Sequence, residues 1–269
     1  MADQREIANA PGTTQINADI MADIVEEAER LVALATHNDL TVRLLGGVAV
    51  RVRCPSAAHP PLARAYGDID LVAPRRESRA VRAMLDAAGY LGDRRLNALH
   101  GDRRLYYADP AHDRHIDVFL GAFQMCHTLE LEGRLALDSV TLSLADLLLT
   151  KLQIVQINAK DMRDCIALLV DHDVTVDAAS AGPDAIDGKY IAGVCGRDWG
   201  WYTTVTDNLD KIKSLSGELA PGELAGRAAE RIGVLRALLE QTPKSMKWTL
   251  RAAVGRRLQW YEEPEEIRR

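Results

Sequence analysis

Long apolar runs are absent from this sequence. No stretch approaches the roughly 18 consecutive apolar residues that a membrane-spanning helix needs, so no membrane span and no membrane partner are expected. Met1 to Asp19 is polar and has no apolar h-region, so no secretory signal is expected either. Cysteine is sparse and scattered: Cys54, Cys126, Cys165 and Cys195 form no C-x-x-C pair. That spacing argues against a zinc ribbon and a disulfide framework, which makes the cytoplasm the expected compartment. A general excess of positive charge is missing too. The net charge of −6 does not suit a protein that coats nucleic acid indiscriminately. No internal repeat and no low-complexity tract interrupts the chain. What remains, 47 % hydrophobic and 27 % charged over 269 residues, suits one large globular domain or two smaller ones.

What is present centres on Leu44-Leu45-Gly46-Gly47 and Asp68-Ile69-Asp70-Leu71. Val42 to Leu45 reads as a short buried strand ended by two glycines. Without Cβ atoms, a turn at Gly46-Gly47 brings its N–H groups close to an anion, and a short helix over Ala49 to Arg53 adds an N-terminal end that favours phosphate. Asp68 to Val72 alternates polar and apolar, so Asp68 and Asp70 share one strand face, roughly 6.5–7 Å apart. At an effective dielectric near 20, two such charges repel by roughly 2–3 kcal/mol, and a hard divalent cation is the usual remedy. In His115 to Leu120, Ile116, Val118 and Leu120 share one face and Asp117 takes the other. A lone aspartate in an apolar strand is destabilising unless paired or coordinated. Beside the Asp68/Asp70 strand it would complete three carboxylates next to a phosphate cradle, the equipment of two-metal phosphoryl or nucleotidyl transfer. The bland alternative for Asp117 is a salt bridge to Arg103 or Arg104; for Asp68 and Asp70 it is capping of a turn after Gly67.

Gly-Gly, Asp-x-Asp on a strand and a later lone strand Asp together resemble the DNA polymerase β-like nucleotidyltransferase superfamily. With Lys151-Leu152 and Lys160-Asp161-Met162-Arg163-Asp164, the chain from Leu44 to Leu169 is similar to the abortive-infection type nucleotidyltransferase toxins of bacterial toxin–antitoxin systems. The spacing from Gly47 to Asp68 is longer than in that family, so Cys54 to Ala65 is expected to be an inserted loop. The resemblance implies a nucleotidyltransferase that moves NMP from an NTP to an RNA 3′ end, that of tRNA. Mg²⁺, one or two ions with Mn²⁺ as a substitute, would be held by Asp68, Asp70 and Asp117, and a cognate antitoxin would be a partner. The resemblance also places Lys160 and Asp161 in the active site. Alternatives are a small cationic acceptor such as an aminoglycoside, a protein side chain as acceptor, or a nucleotide sensor without turnover.

Other residues leave two readings open. Lys151 lies in the apolar stripe Leu144, Leu147, Leu148, Leu152, Val155; it either snorkels to water or meets a triphosphate. Asp161 either caps the next helix or belongs to the site. Arg51 and Arg53 either touch phosphate or are solvated. His112 and His115 have helical spacing, but Pro110 and the strand pattern argue against a metal pair. Basic residues cluster twice. Lys244, Lys247, Arg251, Arg256 and Arg257 lie in a window without acid, and Pro74 to Arg104 holds eight arginines against four acids. Lys244, Lys247 and Arg251 are the expected RNA contacts; Trp248 and Trp260 either stack on bases or, like Trp199, Trp201 and Tyr202, pack helices.

The expected fold class is α+β: a nucleotidyltransferase-like mixed sheet flanked by helices, then a C-terminal helical bundle. The expected domains are 1–142 and 143–269. Helices are predicted from Asn17-Ala18-Asp19 to Ala35, Glu77 to Ala88, Ser143 to Asn158 and Asp161 to His172. Four more follow over Tyr190–Cys195, Trp199–Leu215, Glu223–Glu240 and Lys244–Trp260. Strands are predicted at Arg103 to Ala108, His115 to Leu120 and Val140 to Leu142.

Overall fold

A computed structural model describes residues 19–177 and 182–263. It is a mixed α+β fold with a five-stranded sheet and a helical C-terminal region, as the residue patterns predict. The predicted helix start at Asn17-Ala18 lies outside the described residues.

Helix α1 spans Ile24–His37 and starts later than predicted. Asp23 is its N-cap, its carboxylate accepting from the N–H groups of Val25 and Glu26 at 2.8 and 3.0 Å. Strand β1 (Arg43–Leu45) runs straight into α2 (Gly46–Arg53). The predicted glycine turn before a helix at Ala49 is therefore absent. Gly46, at φ +71°, makes the change of direction in a single residue, a conformation that a Cβ opposes. After a 3₁₀ turn at Pro55–Ala58 come β2 (Asp68–Ala73), α3 (Ser78–Ala87), β3 (Leu91–Gly92), α4 (Arg94–His100), β4 (Arg104–Asp109) and β5 (Arg114–Leu120).

The strand order is β1-β2-β5-β4-β3, with β2 parallel to β5 and every other neighbour antiparallel. Period-two alternation gives this sheet two unlike faces. Ile69, Leu71, Leu105, Ile116, Val118 and Leu120 share one face and are buried at 0–1 % exposure. Asp68, Asp70, Arg104, Tyr106, His115, Asp117 and Phe119 occupy the other by the same register. A small hairpin, β6 (Ala122–Gln124) with β7 (Thr128–Glu130), leads away from β5. Val140 to Leu142, predicted as a strand, makes only one parallel bridge, Leu44 to Thr141.

Helix α5 (Leu144–Leu152) is capped by Ser143, whose Oγ accepts from the Asp146 N–H at 3.3 Å. All nine of its residues are buried, so the predicted single apolar stripe is in fact a helix enclosed on every side. It stops at Leu152, short of the predicted Asn158. Asn158 instead caps α6 (Ala159–Asp171), accepting from the N–H groups of Lys160 and Asp161 at 2.8 and 3.1 Å. Of the two readings open for Asp161, the capping one is thus set aside, and its carboxylate is left for another partner. A short parallel pair, β8 (Val174–Thr175) and β9 (Ile186–Asp187), precedes α7 (Gly188–Arg197), α8 (Trp199–Leu219), α9 (Glu223–Gln241) and α10 (Met246–Val254). Helices α5 and α6 pack on α2, which brings the C-terminal half against the polar end of the sheet. Among the described residues, no helix is long and apolar enough to cross a membrane.

Candidate active site

The parallel register of β2 and β5 sets Asp70 directly opposite Asp117 and Asp68 opposite His115. Neighbouring strands lie about 4.8 Å apart, so Asp68, Asp70 and Asp117 share one patch of one face. Asp68 is exposed at the strand start, Asp70 is half-buried and Asp117 is buried. Burial, and next the Asp117 carboxylate, push the Asp70 carboxyl up from 3.8 to about 7, against the pull of Lys151 and Arg104.

Gly46 is shaped by this carboxylate. A Cβ at Gly46 would stand 2.1 Å from Asp70 Oδ2. No side chain caps α2, so its first N–H groups and the positive end of its dipole face the same region as Asp70. Gly47 serves a different neighbour. A Cβ there would come within 1.9 Å of Arg64 Nη2 and 3.1 Å of the Tyr66 ring. The segment read as an inserted loop therefore delivers Arg64, and the residue just after it, Tyr66, against the glycines. Sequence reasoning missed both.

Arg64 belongs to a chain of charges. Its Nε and Nη2 donate to the two oxygens of Asp164 at 2.9 and 2.8 Å. Lys151 Nζ lies 2.9 Å from Asp164 Oδ2 and 2.8 Å from Asp161 Oδ1. Burial alone would lower the Lys151 ammonium; Asp164 and Asp161 outweigh it and raise it above the usual lysine range. Lys151 does not snorkel to water. Asp161, brought to it by α6, is part of the same cluster.

Asp117 takes the alternative that the sequence left open. Arg104 Nη2 donates to its Oδ2 at 2.6 Å. The Arg104 guanidinium also lies over the rings of Phe119 and Tyr106, 4.4 and 5.0 Å from their centroids. With the side chains so turned, no three His, Cys, Asp or Glu residues among the described residues stand close enough to hold a metal ion. The backbone register nonetheless supplies an oxygen-only donor set on one face, which suits a hard divalent cation.

Other candidates stand apart. Arg51 is half-buried on α2, and Arg53 is engaged by Asp138, Thr141 and Asp184. Lys160 is exposed and its side chain joins none of the site's hydrogen bonds. Of the predicted RNA contacts, Lys244 donates to the Leu239 carbonyl and lies over the Tyr202 ring. Arg251 donates to the carbonyls of Gly255 and Leu258, at 2.7 Å each, and lies over Trp199. Lys244 is thus occupied at the end of α9 and Arg251 at the end of α10; of the three, only Lys247 is exposed. Trp248 packs edge-on to Tyr202, and Trp260 edge-on to Trp199. His112 bonds Asp109 at 2.8 Å rather than a second histidine. All four cysteines are free and buried.

No family model matches the chain, and no curated protein does. The functional reading therefore rests on the residues themselves.

Proposed function

We propose that this chain is a divalent-cation-dependent nucleotidyltransferase that moves NMP from an NTP to a hydroxyl at an RNA 3′ end. The observation that carries the reading is the in-register pairing of Asp70 with Asp117, Asp68 two residues upstream, beside the side-chain-free bend at Gly46. Asp68, Asp70 and Asp117 would hold Mg²⁺ or Mn²⁺. When bound, such an ion neutralises phosphate charge and polarises the reacting oxygens.

The chain's own residues do the rest. The uncapped N–H groups of α2 at Gly46 and Gly47 attract the triphosphate. Lys151, fixed between Asp161 and Asp164, supplies positive potential to Asp70 without flexing toward the ligand. Asp117 takes the proton of the acceptor hydroxyl as its oxygen attacks the α-phosphate, and the bond from the α-phosphate to the departing pyrophosphate breaks. Positioning and charge neutralisation contribute most of the rate in such transfers. A tRNA acceptor, growth arrest, a cytoplasmic site of action and a cognate antitoxin follow if the resemblance to the toxins extends to biology.

The test is direct. Purified protein with Mg²⁺, total RNA and each α-labelled NTP in turn should label one RNA band with one NTP, and Asp70→Ala should label none. Equal labelling by Asp70→Ala would exclude the metal role.

A further inference from the structure

A cleft opens on the same sheet face, on the side of Asp117 away from Gly46. Its walls include Arg104 and Tyr106 of β4, Phe119 of β5, His100 of α4, and Arg75 and Arg103. Tyr106 pairs with Asp117 and Arg104 with Phe119 across β4–β5, which makes the cleft continuous with the carboxylates. Its volume, about 180 Å³, is below the roughly 300–1,000 Å³ of sites that enclose a whole drug-sized ligand. One planar ring fits; a nucleoside triphosphate does not. The buried Nε of Arg104 has no hydrogen-bond partner. Arg103 is exposed at the mouth. It belongs to the arginine-rich stretch 74–104, whereas two of the basic residues of α10 and its approach are committed to internal carbonyls.

We propose that this cleft seats the terminal base of single-stranded RNA, with Arg103 and Arg75 meeting the backbone phosphates behind it. The base lies against the outer side of the Arg104 guanidinium plane, which the buried Phe119 ring backs at 4.4 Å from its centroid. The inference deepens the nucleotidyltransferase reading and rests on it. A triphosphate drawn to the Gly46 side and an acceptor seated on the Tyr106 side then approach Asp70 and Asp117 from opposite directions, which is what an in-line displacement requires. Glu262 and Glu263 line the cleft too, and Glu262 accepts from Gln124 at 2.5 Å. Those carboxylates repel phosphate, so the strand enters from the His100–Arg103 end.

The experiment is fluorescence anisotropy of a 5′-labelled single-stranded oligoribonucleotide with a free 3′ hydroxyl, across a salt series, without nucleotide. Arg103→Glu, a surface change that leaves the core untouched, should weaken binding by about tenfold and flatten the log–log salt dependence by about 0.7. Phe119→Leu should weaken it at least about fivefold with an unchanged salt slope. Lys247→Glu should bind like the wild type. Wild-type affinity in both Arg103→Glu and Phe119→Leu, or a loss confined to Lys247→Glu, overturns the cleft assignment; so does a wild type that binds no oligoribonucleotide and labels a protein instead. Calorimetry of Mg·NTP binding to the same proteins separates the two readings. Intact NTP binding with an RNA affinity indifferent to Arg103 and Phe119 removes the cleft and leaves the enzyme. Absent NTP binding in the wild type removes the enzyme.

Discussion

Asp70→Asn should make the metal-free protein more stable while abolishing its activity. The Asp70 carboxyl titrates near 3.8 when unfolded and is pushed to about 7 in the fold, foremost by burial and then by Asp117. The folded state therefore holds the proton more tightly than the unfolded one between these values. Stability contributed by the protonated acid is complete below pH 3.8 and is lost as pH rises toward 7. A shift of this size, at about 1.36 kcal/mol per unit, sets an upper bound near 4 kcal/mol. Asp70 is only half-buried, so solvent screening and relaxation reduce the expected gain to about 1–3 kcal/mol at pH 8. In a domain of this size that is a rise of roughly 2–12 °C in Tm. The assay is differential scanning fluorimetry of wild type and Asp70→Asn in EDTA at pH 8, 6 and 4. The difference should be largest at pH 8 and vanish near pH 4. Adding Mg²⁺ with NTP should then raise the wild-type Tm and leave the variant unmoved, since only a binder of the native state stabilises it. A variant no more stable than wild type at pH 8, or a gain that persists at pH 4, would refute the reasoning.

Further outcomes follow from the same contacts. Lys151→Met leaves Asp161 without its 2.8 Å partner and Asp164 with Arg64 alone, so urea denaturation should show a loss of about 3–5 kcal/mol. Gly46→Ala places a methyl 2.1 Å from Asp70 Oδ2 at φ +71°; turnover should be lost, and stability should fall by at least about 1–3 kcal/mol in a chemical melt. His127, whose Nε2 lies 2.8 Å from Thr204 Oγ1, is pushed down from 6.5 to about 4 by burial, against Asp198 and Glu262. Its neutral form is needed for folding, so its contribution is complete above pH 6.5 and lost toward pH 4, by at most about 3 kcal/mol. His127→Gln should flatten the stability profile over that window in urea melts.

The sheet face that carries the carboxylates was legible because alternation has a period of two: Ile69 and Leu71 inward dictate Asp68 and Asp70 outward. The salt bridge to Arg104 was legible as one of two options, since adjacent antiparallel strands pair only nearby residues. The Arg64–Asp164 pair was not legible, because 100 residues separate its members and local periodicity carries no long-range register. The enclosure of α5 was hidden for a similar reason: Lys151 read as one cation in a single apolar stripe, and Arg134, Asp161 and Asp164, which hold Asp146 and Lys151 inside, arrive from other elements. The basic window from Lys244 misled in the opposite way. Charge is visible in a sequence, but the carbonyls of Leu239, Gly255 and Leu258 that occupy Lys244 and Arg251 are not.

The distribution of counter-charges separates Asp70 from its neighbours. Asp117 has Arg104, Asp164 has Arg64 and Lys151, and Asp161 has Lys151, whereas Asp70 makes no ion pair among the described residues. Its raised pKa after burial is due next to Asp117 on the adjoining strand. Charges about 5 Å apart at an effective dielectric near 20 interact by about 3 kcal/mol. The stabilities of Asp70→Asn and Asp117→Asn should therefore not add. In an Asp117→Asn background much of the repulsion is already gone, so converting Asp70 should yield a smaller gain, by at least about 1 kcal/mol, in a double-mutant cycle at pH 8. Additive free energies would mean that the two carboxylates do not feel each other. A cation between them would then have no electrostatic reason to be there.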